Sequence, residues 1–401
     1  MGRVAVDQIA PGGVLVQDID TTLSDAEKNR LLLSALPGAS AEIYRGERVV
    51  RYRNQIILKK QVTHLGKPWP GFKKRIQIPG TWLAVEAAAR AEGLVPRFVG
   101  IYSYRGTTIF VDFDPTTYVT RRANNSAAHV ATNDLFQAET SGMFTRRDRN
   151  GNVLTSVRSD EFERHLAGAA GATDPRLEVF RSFNQDFMDG QMVEGLDAVK
   201  EMYAAKWPDA FQGEWPGFYL EFRFAEFLKR SGLSGLAEFQ RDKKVGSFDY
   251  DLVFRSGPDV EYYGDLKASD VVKHESPGND AADIRRCVEL YGRFWYVIYE
   301  HETVRARDTG GAATVAWNEW KRSVGYMARK SFDPLSYASR YKASVKFVKM
   351  MVLEVNPANF DVALGNFAQG QQPGGAARAL KVMIKKRNID NFLVYSSSAT
   401  S

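Results

Sequence analysis

The chain has 401 residues, so at roughly 100–200 residues per domain two or three domains are expected. Hydrophobic residues make up 44%, charged residues 25% and aromatics 12%, which excludes a disordered, collagen-like or low-complexity chain. The net charge of +6 permits a polyanionic partner without requiring one, and the single cysteine, Cys287, excludes a disulfide framework or a paired-cysteine zinc site. The first residues lack the apolar core of a signal peptide, and no apolar run approaches the ~18 residues that span a bilayer. A cytoplasmic protein without a membrane partner is expected.

A helix is expected over Ser24–Leu36. Strands follow at Glu42–Tyr52 and Gln55–Gln61, with Arg53-Asn54 at the turn between them. The loop Gly66–Gly71 precedes a strand near Lys73–Ile78. Thr81–Glu92 reads as a helix stopped by Gly93, and Arg97–Tyr104 with Thr107–Phe113 reads as a hairpin about Arg105-Gly106. Arg149-Asn150-Gly151-Asn152 signals a further turn. Residues 175–206 have a helical pattern, which Trp207-Pro208 and Gly213–Gly217 interrupt. The domain boundary is therefore expected at 205/206, giving domains 1–205 and 206–401.

In the second half, Phe218–Lys229 has one apolar stripe of Phe218, Phe222, Ala225 and Leu228 and reads as a helix. Ser247–Phe254 and Val260–Ala268 read as strands about the turn Ser256-Gly257-Pro258-Asp259. Asp280–Tyr291 is a second helix, in which Cys287 lies beside the apolar stripe as a small buried hydrophobe. Phe294–Tyr299 is apolar at every position, as in a strand covered on both faces. Ser344–Val355, Leu380–Lys385 and Phe392–Tyr395 are further strands, and Gly370–Gly375 is expected to be a mobile loop.

Strand residues alternate between faces. Asp249 and Asp251 therefore share one face of the first strand, and Asp265 and Lys267 share one face of the second. Paired as a hairpin, the strands bring carboxylates and an ammonium together on one side of a sheet. Buried charge is costly unless it is paired or binds a cation. Mg²⁺ takes one or two protein carboxylates and retains several waters, so this set suits it. The chemistry matched is hydrolysis of a phosphodiester, with Lys267 orienting or deprotonating water and stabilising charge on phosphorus.

An acid on one strand, followed 14 positions later by Asp265-Leu266-Lys267, resembles the PD-(D/E)xK nuclease superfamily, which includes many type II restriction endonucleases. The order of helix, acid strand, acid-x-Lys strand, helix and buried strand matches as well. The resemblance covers about a fifth of the chain, Gly217–Glu300. It implies an α/β fold, with a restriction-endonuclease-like core on a mixed α+β sheet in the C-terminal half. It also implies Asp251 and Asp265 as Mg²⁺ ligands, Lys267 as the lysine and a helical glutamate, Glu221 or alternatively Glu226, joining the site. Tyr250 stands where the superfamily name has proline, which leaves Asp249 open beside Asp251. The literal Pro258-Asp259 pair lies too close to Asp265 to serve.

The N-terminal half, expected to be a separate β-rich α+β domain, carries the basic stretch 45–75. Arg45, Arg48, Arg51, Arg53, Lys59, Lys60, Lys67, Lys73, Lys74 and Arg75 stand there against the single acid Glu47, interleaved with Tyr52, Trp69 and Phe72. Of these, Arg45, Arg48, Arg51, Arg53, Lys59, Lys60, Lys73, Lys74 and Arg75 are expected to contact DNA. His274 and His301 are expected to be structural or surface groups, and His64, within the basic stretch, is expected to have a bland role, with DNA contact as the alternative.

Together these features lead to the expectation of a Mg²⁺-dependent, sequence-specific endonuclease for double-stranded DNA. It would be a homodimer with a possible cognate DNA methyltransferase. A modification-dependent or repair nuclease, and a non-catalytic DNA-binding protein with a nuclease-like fold, are the alternatives.

Overall fold

The computed structural model describes residues 4–119, 125–148, 151–171, 173–208, 213–245, 248–326, 341–365 and 380–399. Two compact units share the chain. One comprises Met1–Thr173, Pro357–Phe360 and Asn388–Leu393; the other comprises Asp174–Asn356, Asp361–Arg387 and Val394–Ser401. The first long segment thus ends at Thr173 rather than at 205. The reason lies in the helices that follow, whose Phe180, Phe183, Phe187, Val199 and Met202 belong to the aromatic core of the second unit.

The strands of the first unit are β1 (Val6–Ala10), β2 (Val14–Asp18), β3 (Ser40–Tyr44), β4 (Glu47–Tyr52), β5 (Gln55–Gln61), β6 (Thr63–His64), β7 (Lys73–Pro79), β8 (Val95–Tyr104), β9 (Thr107–Phe113), β10 (Asn125–Ala131), β11 (Met143–Arg147) and β12 (Val153–Arg158). The helices are α1 (Asp25–Ala35), α2 (Thr81–Ala91), α3 (Pro115–Val119), α4 (Thr132–Ser141) and α5 (Phe162–Leu166). A seven-stranded sheet runs β11-β12-β9-β8-β5-β4-β3, beside a three-stranded sheet β10-β7-β6 and the β1-β2 hairpin. Helix α1 begins at a capping box, in which Ser24 and Glu27 satisfy each other's backbone N–H groups.

The expected strand 42–52 is broken into β3 and β4, because Arg45 (φ 52°) and Gly46 (φ 84°) form a left-handed turn. Three hairpin tips repeat one pattern: Tyr44-Arg45-Gly46, Tyr52-Arg53-Asn54 and Tyr104-Arg105-Gly106, each with its arginine at positive φ. That backbone is sterically unfavourable for arginine. At each tip the tyrosine hydroxyl and the arginine guanidinium meet a single carboxylate, respectively Glu92, Glu163 and Asp18. The shared carboxylate offsets the strain and clasps each turn to its neighbour.

The second unit contains α6 (Leu177–Phe187), β13 (Val193–Glu194), α7 (Gly195–Ala204), α8 (Trp215–Ser231), β14 (Ala237–Val245), β15 (Phe248–Ser256), β16 (Asp259–Asp270), β17 (Glu275–Asp280), α9 (Ala281–Tyr291), β18 (Phe294–Arg305), α10 (Ala312–Ser323), β19 (Lys342–Val355), β20 (Leu364–Gly365), β21 (Lys381–Lys385) and β22 (Leu393–Ser398). Its main sheet runs β13-β19-β18-β16-β15-β14, with β22 on β19. β14, β15 and β16 form an antiparallel meander, and β16 pairs in parallel with β18 after the crossover helix α9. Helix α8 starts at Trp215, ahead of the expected Phe218, because Pro216 is tolerated in a first helical turn. Phe294–Tyr299 is buried at every position, as expected.

Leu252, Phe254, Tyr262, Leu266, Trp295, Val297 and Tyr299 from the sheet join aromatic residues of α6 and α8 in one core. Gly264 is required there, because a Cβ would lie 2.7 Å from the Trp295 carbonyl oxygen and 2.8 Å from the Phe254 ring. The sequence Gly370–Gly375, expected to be a loop, lies outside the described residues, as do Arg149 and Asn150.

Candidate active site

The ladder between β15 and β16 runs from Ser256↔Asp259 to Leu252↔Gly264. Beyond that pair β15 continues along β14, while β16 continues along β18. The strands part where Asp251 and Asp265 stand, so their carboxylates meet at a fork in the sheet. Asp265 is 1% exposed, and its Oδ2 accepts the Lys267 ammonium at 2.7 Å. Its Oδ1 is buried and has no hydrogen-bond partner among the described residues.

Burial pushes the Asp251 carboxyl up to about 9, and the charge of Asp265, its hydrogen bond and the charge of Glu221 push the same way against Lys267. Two carboxylates this close favour one shared proton. Burial opposes the Lys267 charge, but Asp265 and Asp251 outweigh it and hold the ammonium above its ordinary value. Glu221, projecting from α8, acts on both groups. Asp251, Asp265, Lys267 and Glu221 are thus brought together. Glu226 instead pairs with Lys229 at 2.5 Å, on the exposed side of α8. Asp249 has its side chain outside the described residues. Asp259 is exposed at the hairpin tip, as expected of the Pro258-Asp259 pair.

Sequence reasoning missed Tyr296, which lies opposite Asp265 on β18. Burial and the Asp265 charge push its phenol up. Its hydroxyl accepts the Asn279 N–H at 3.3 Å, and a Cβ on Gly278 would lie 2.6 Å from that oxygen. This packing brings β17 against β18, the parallel neighbour of the strand that carries Asp265. The one signal in the sequence was the tyrosine inside the apolar run Phe294–Tyr299.

Among the described residues, no three His, Cys, Asp or Glu side chains are grouped to hold a metal ion. Mg²⁺ needs only one or two protein carboxylates and keeps its own waters. Asp251 and Asp265 fit that donor set, and the buried Oδ1 of Asp265 has no hydrogen-bond donor among the described residues. The His64 ring is held between the Gly66 N–H and the Trp69 and Pro70 carbonyls. Burial pushes His301 down to about 4 and Cys287 up to about 12.

The basic stretch looks different in three dimensions. Arg45 pairs with Glu92, Arg48 with Asp25 at 3.0 Å, Arg51 with Glu42 at 2.8 Å and Arg53 with Glu163 at 3.5 Å. Lys59 is buried and donates to the Arg48 carbonyl, and burial pushes it down to about 8. Lys74 is fully buried against Asp20 at 3.2 Å and Gln8. Lys73 lies over the Trp69 ring, and Lys60 and Arg75 carry no ion pair among the described residues. Acids distant in sequence therefore cancel much of the local excess. Phe72 and Tyr52 are buried, which leaves Trp69 exposed.

Residues 53–166 match a family model, methylase-associated X1. The match covers little more than a quarter of the chain, all of it in the first unit and none of it at the acid and lysine site. Its description suggests a restriction–modification context. No curated protein and no solved structure matches the chain. Among the described residues no helix is long and apolar enough to cross a membrane.

Proposed function

We propose that the chain is a Mg²⁺-dependent endonuclease of the type II restriction kind, cutting double-stranded DNA within a restriction–modification system. One observation carries the reading: Asp251, Asp265 and Lys267 converge where β15 and β16 part, with Glu221 beside them. A charged set built around one fully buried carboxylate is a poor device for stability, and strongly perturbed groups cluster at functional sites. The order α8, β15, β16, α9 and β18, with β14 and β17 added between them, supports the resemblance to a restriction-endonuclease-like core.

In this reading Asp251 and Asp265 hold the metal ion after the shared proton leaves. When bound, Mg²⁺ supplies charge to a phosphate oxygen and acidifies a water. Lys267 keeps its proton, because the surrounding carboxylates hold its ammonium above the ordinary value. Its role is therefore to donate to charge building on phosphorus rather than to act as a base. The first unit holds the DNA, and a homodimer cuts both strands. A DNA methyltransferase acting on the same site is the partner that agrees with the methylase-associated match.

The test is to incubate the chain with unmodified phage DNA and Mg²⁺ and to sequence the ends. Discrete ends at one sequence are expected. A uniform smear contradicts sequence specificity, and no cutting contradicts catalysis.

A further inference from the structure

Helix α1 packs over β4 and β5 through a core in which Leu32 and Leu36 join Val50, Ile57 and Val99. Lys59 interrupts that core. It shares the face of Ile57 on β5, stands opposite Val99 in the register and is 7% exposed. Its ammonium donates to the Arg48 carbonyl at 3.1 Å and makes no ion pair among the described residues. Burial pushes it down to about 8; the Asp25 charge opposes that shift, and the charges of Lys28, Arg48 and Lys60 add to it. Two of those cations converge on one carboxylate beside it. Asp25 Oδ1 lies 2.5 Å from the Lys28 ammonium, and Oδ2 lies 3.0 Å from the Arg48 guanidinium.

Three cations thus gather around one carboxylate, and the cation with no acidic partner is the one most removed from water. An ammonium buried among like charges costs stability at a position where an apolar side chain would pack. An anion offsets that cost, and a phosphate, whose oxygens each accept more than one hydrogen bond, can reach all three cations at once. Asp25 holds that place as an internal carboxylate. Its side chain is half-exposed, and α1 does not need it as a cap, because Ser24 and Glu27 form the capping box. We propose that Lys28, Arg48 and Lys59 form a phosphate-binding clip at the start of α1, and that a backbone phosphate of DNA takes the place of the Asp25 carboxylate there. The clip rests on these residues alone, whereas DNA as the source of the phosphate rests on the reading above. Of the expected DNA contacts, Arg48 and Lys59 keep that role, and Lys28 joins them from outside the basic stretch. A free nucleotide offers the same phosphate chemistry, and the test separates the two sources.

The test uses the full chain in EDTA, so that no cutting occurs, with a fluorescein-labelled duplex as one probe and inorganic pyrophosphate as the other. Lys59→Met keeps the length of the side chain and removes its charge. It is expected to raise the urea midpoint, because a buried charge is lost. It is also expected to weaken duplex binding roughly 5- to 10-fold at about 0.1 M salt and to flatten the dependence of log K on log salt by about one. A lysine that serves only packing gives the opposite pair, a lower midpoint with unchanged binding. Arg48→Gln, whose side chain is exposed and leaves the core untouched, is expected to flatten the slope in the same way. Asp25→Asn is expected to tighten duplex binding by about 3- to 10-fold, and Glu47→Gln, the same change of net charge next to Arg48, by less. Pyrophosphate is expected to raise the Tm of wild type and not that of Lys59→Met. Duplex binding as tight as wild type in both Lys59→Met and Arg48→Gln, with the same salt slope, overturns the clip and leaves the DNA reading standing. A pyrophosphate shift that is lost in Lys59→Met, with no duplex binding by wild type, keeps the clip for a free nucleotide and overturns DNA as its source. Neither duplex binding nor a pyrophosphate shift in wild type overturns both.

Discussion

Replacing Asp251 by asparagine should stabilise the protein, and more so at alkaline pH. The folded state holds the Asp251 carboxyl at about 9, against an ordinary value of 3.8. Above about pH 4 the unfolded chain has released that proton and the folded chain has not, so folding takes up a proton. The contribution of this group to stability therefore falls as pH rises from about 4 towards 9, by at most ~1.4 kcal/mol per pH unit. Asp251 is half-buried, and solvent screening reduces the slope, so about 2–3 kcal/mol between pH 5 and pH 8 is expected. Asparagine cannot ionise, and its amide can donate to Asp265 as the protonated carboxyl does. For a unit of this size the gain in Tm from Asp251→Asn at pH 8 should exceed the gain at pH 5 by roughly 4–12 °C. Thermal unfolding in metal-free buffer measures this. An equal change at both pH values, or a loss at pH 8, would refute the shared-proton account of the site.

Other variants probe the surroundings. Gly264→Ala should cost about 2–3 kcal/mol in urea denaturation, because its Cβ meets the Trp295 carbonyl and the Phe254 ring; a neutral result would show that the fork is looser than described. Glu163→Gln should cost ~0.5–1 kcal/mol by weakening the shared contacts of Tyr52 and Arg53, whereas no change would make that clasp incidental. Tyr296→Phe frees the Asn279 N–H and should raise the Mg²⁺ concentration needed for cleavage; an unchanged requirement would leave the tyrosine a packing residue only. Glu221→Gln should slow cleavage where Glu226→Gln does not, and the reverse order would exchange their roles.

Much of the second unit was legible because its signals are local. The alternation in Phe248–Phe254 and Glu261–Ala268 places Asp251 and Asp265 by period, and the turn Ser256–Asp259 sets the register. Phe294–Tyr299 is apolar at every position, and it is a covered strand. β14 was not legible, since the polar run Glu238–Lys244 carries little apolar alternation and pairs only because β15 offers an edge. The domain boundary was misplaced because Trp207-Pro208 marks a break between helices of one unit, and only tertiary packing shows where Phe180 and Met202 belong. The ion pairing of the basic stretch was not legible, since one-dimensional charge counting cannot see Glu92, Asp25, Glu163 and Asp20 arriving from elsewhere in the chain. Of the three Tyr-Arg turns, those at Arg53-Asn54 and Arg105-Gly106 were legible and that at Arg45-Gly46 was not, and nothing in their sequence shows that each shares a carboxylate.

Single-turnover cleavage of one defined duplex, with binding measured on the same preparations, tests the central claim most directly. Asp265→Ala and Lys267→Ala are each predicted to abolish Mg²⁺-dependent cutting while retaining DNA affinity. Cleavage at the wild-type rate in both variants would contradict the assignment of catalysis to the fork between β15 and β16.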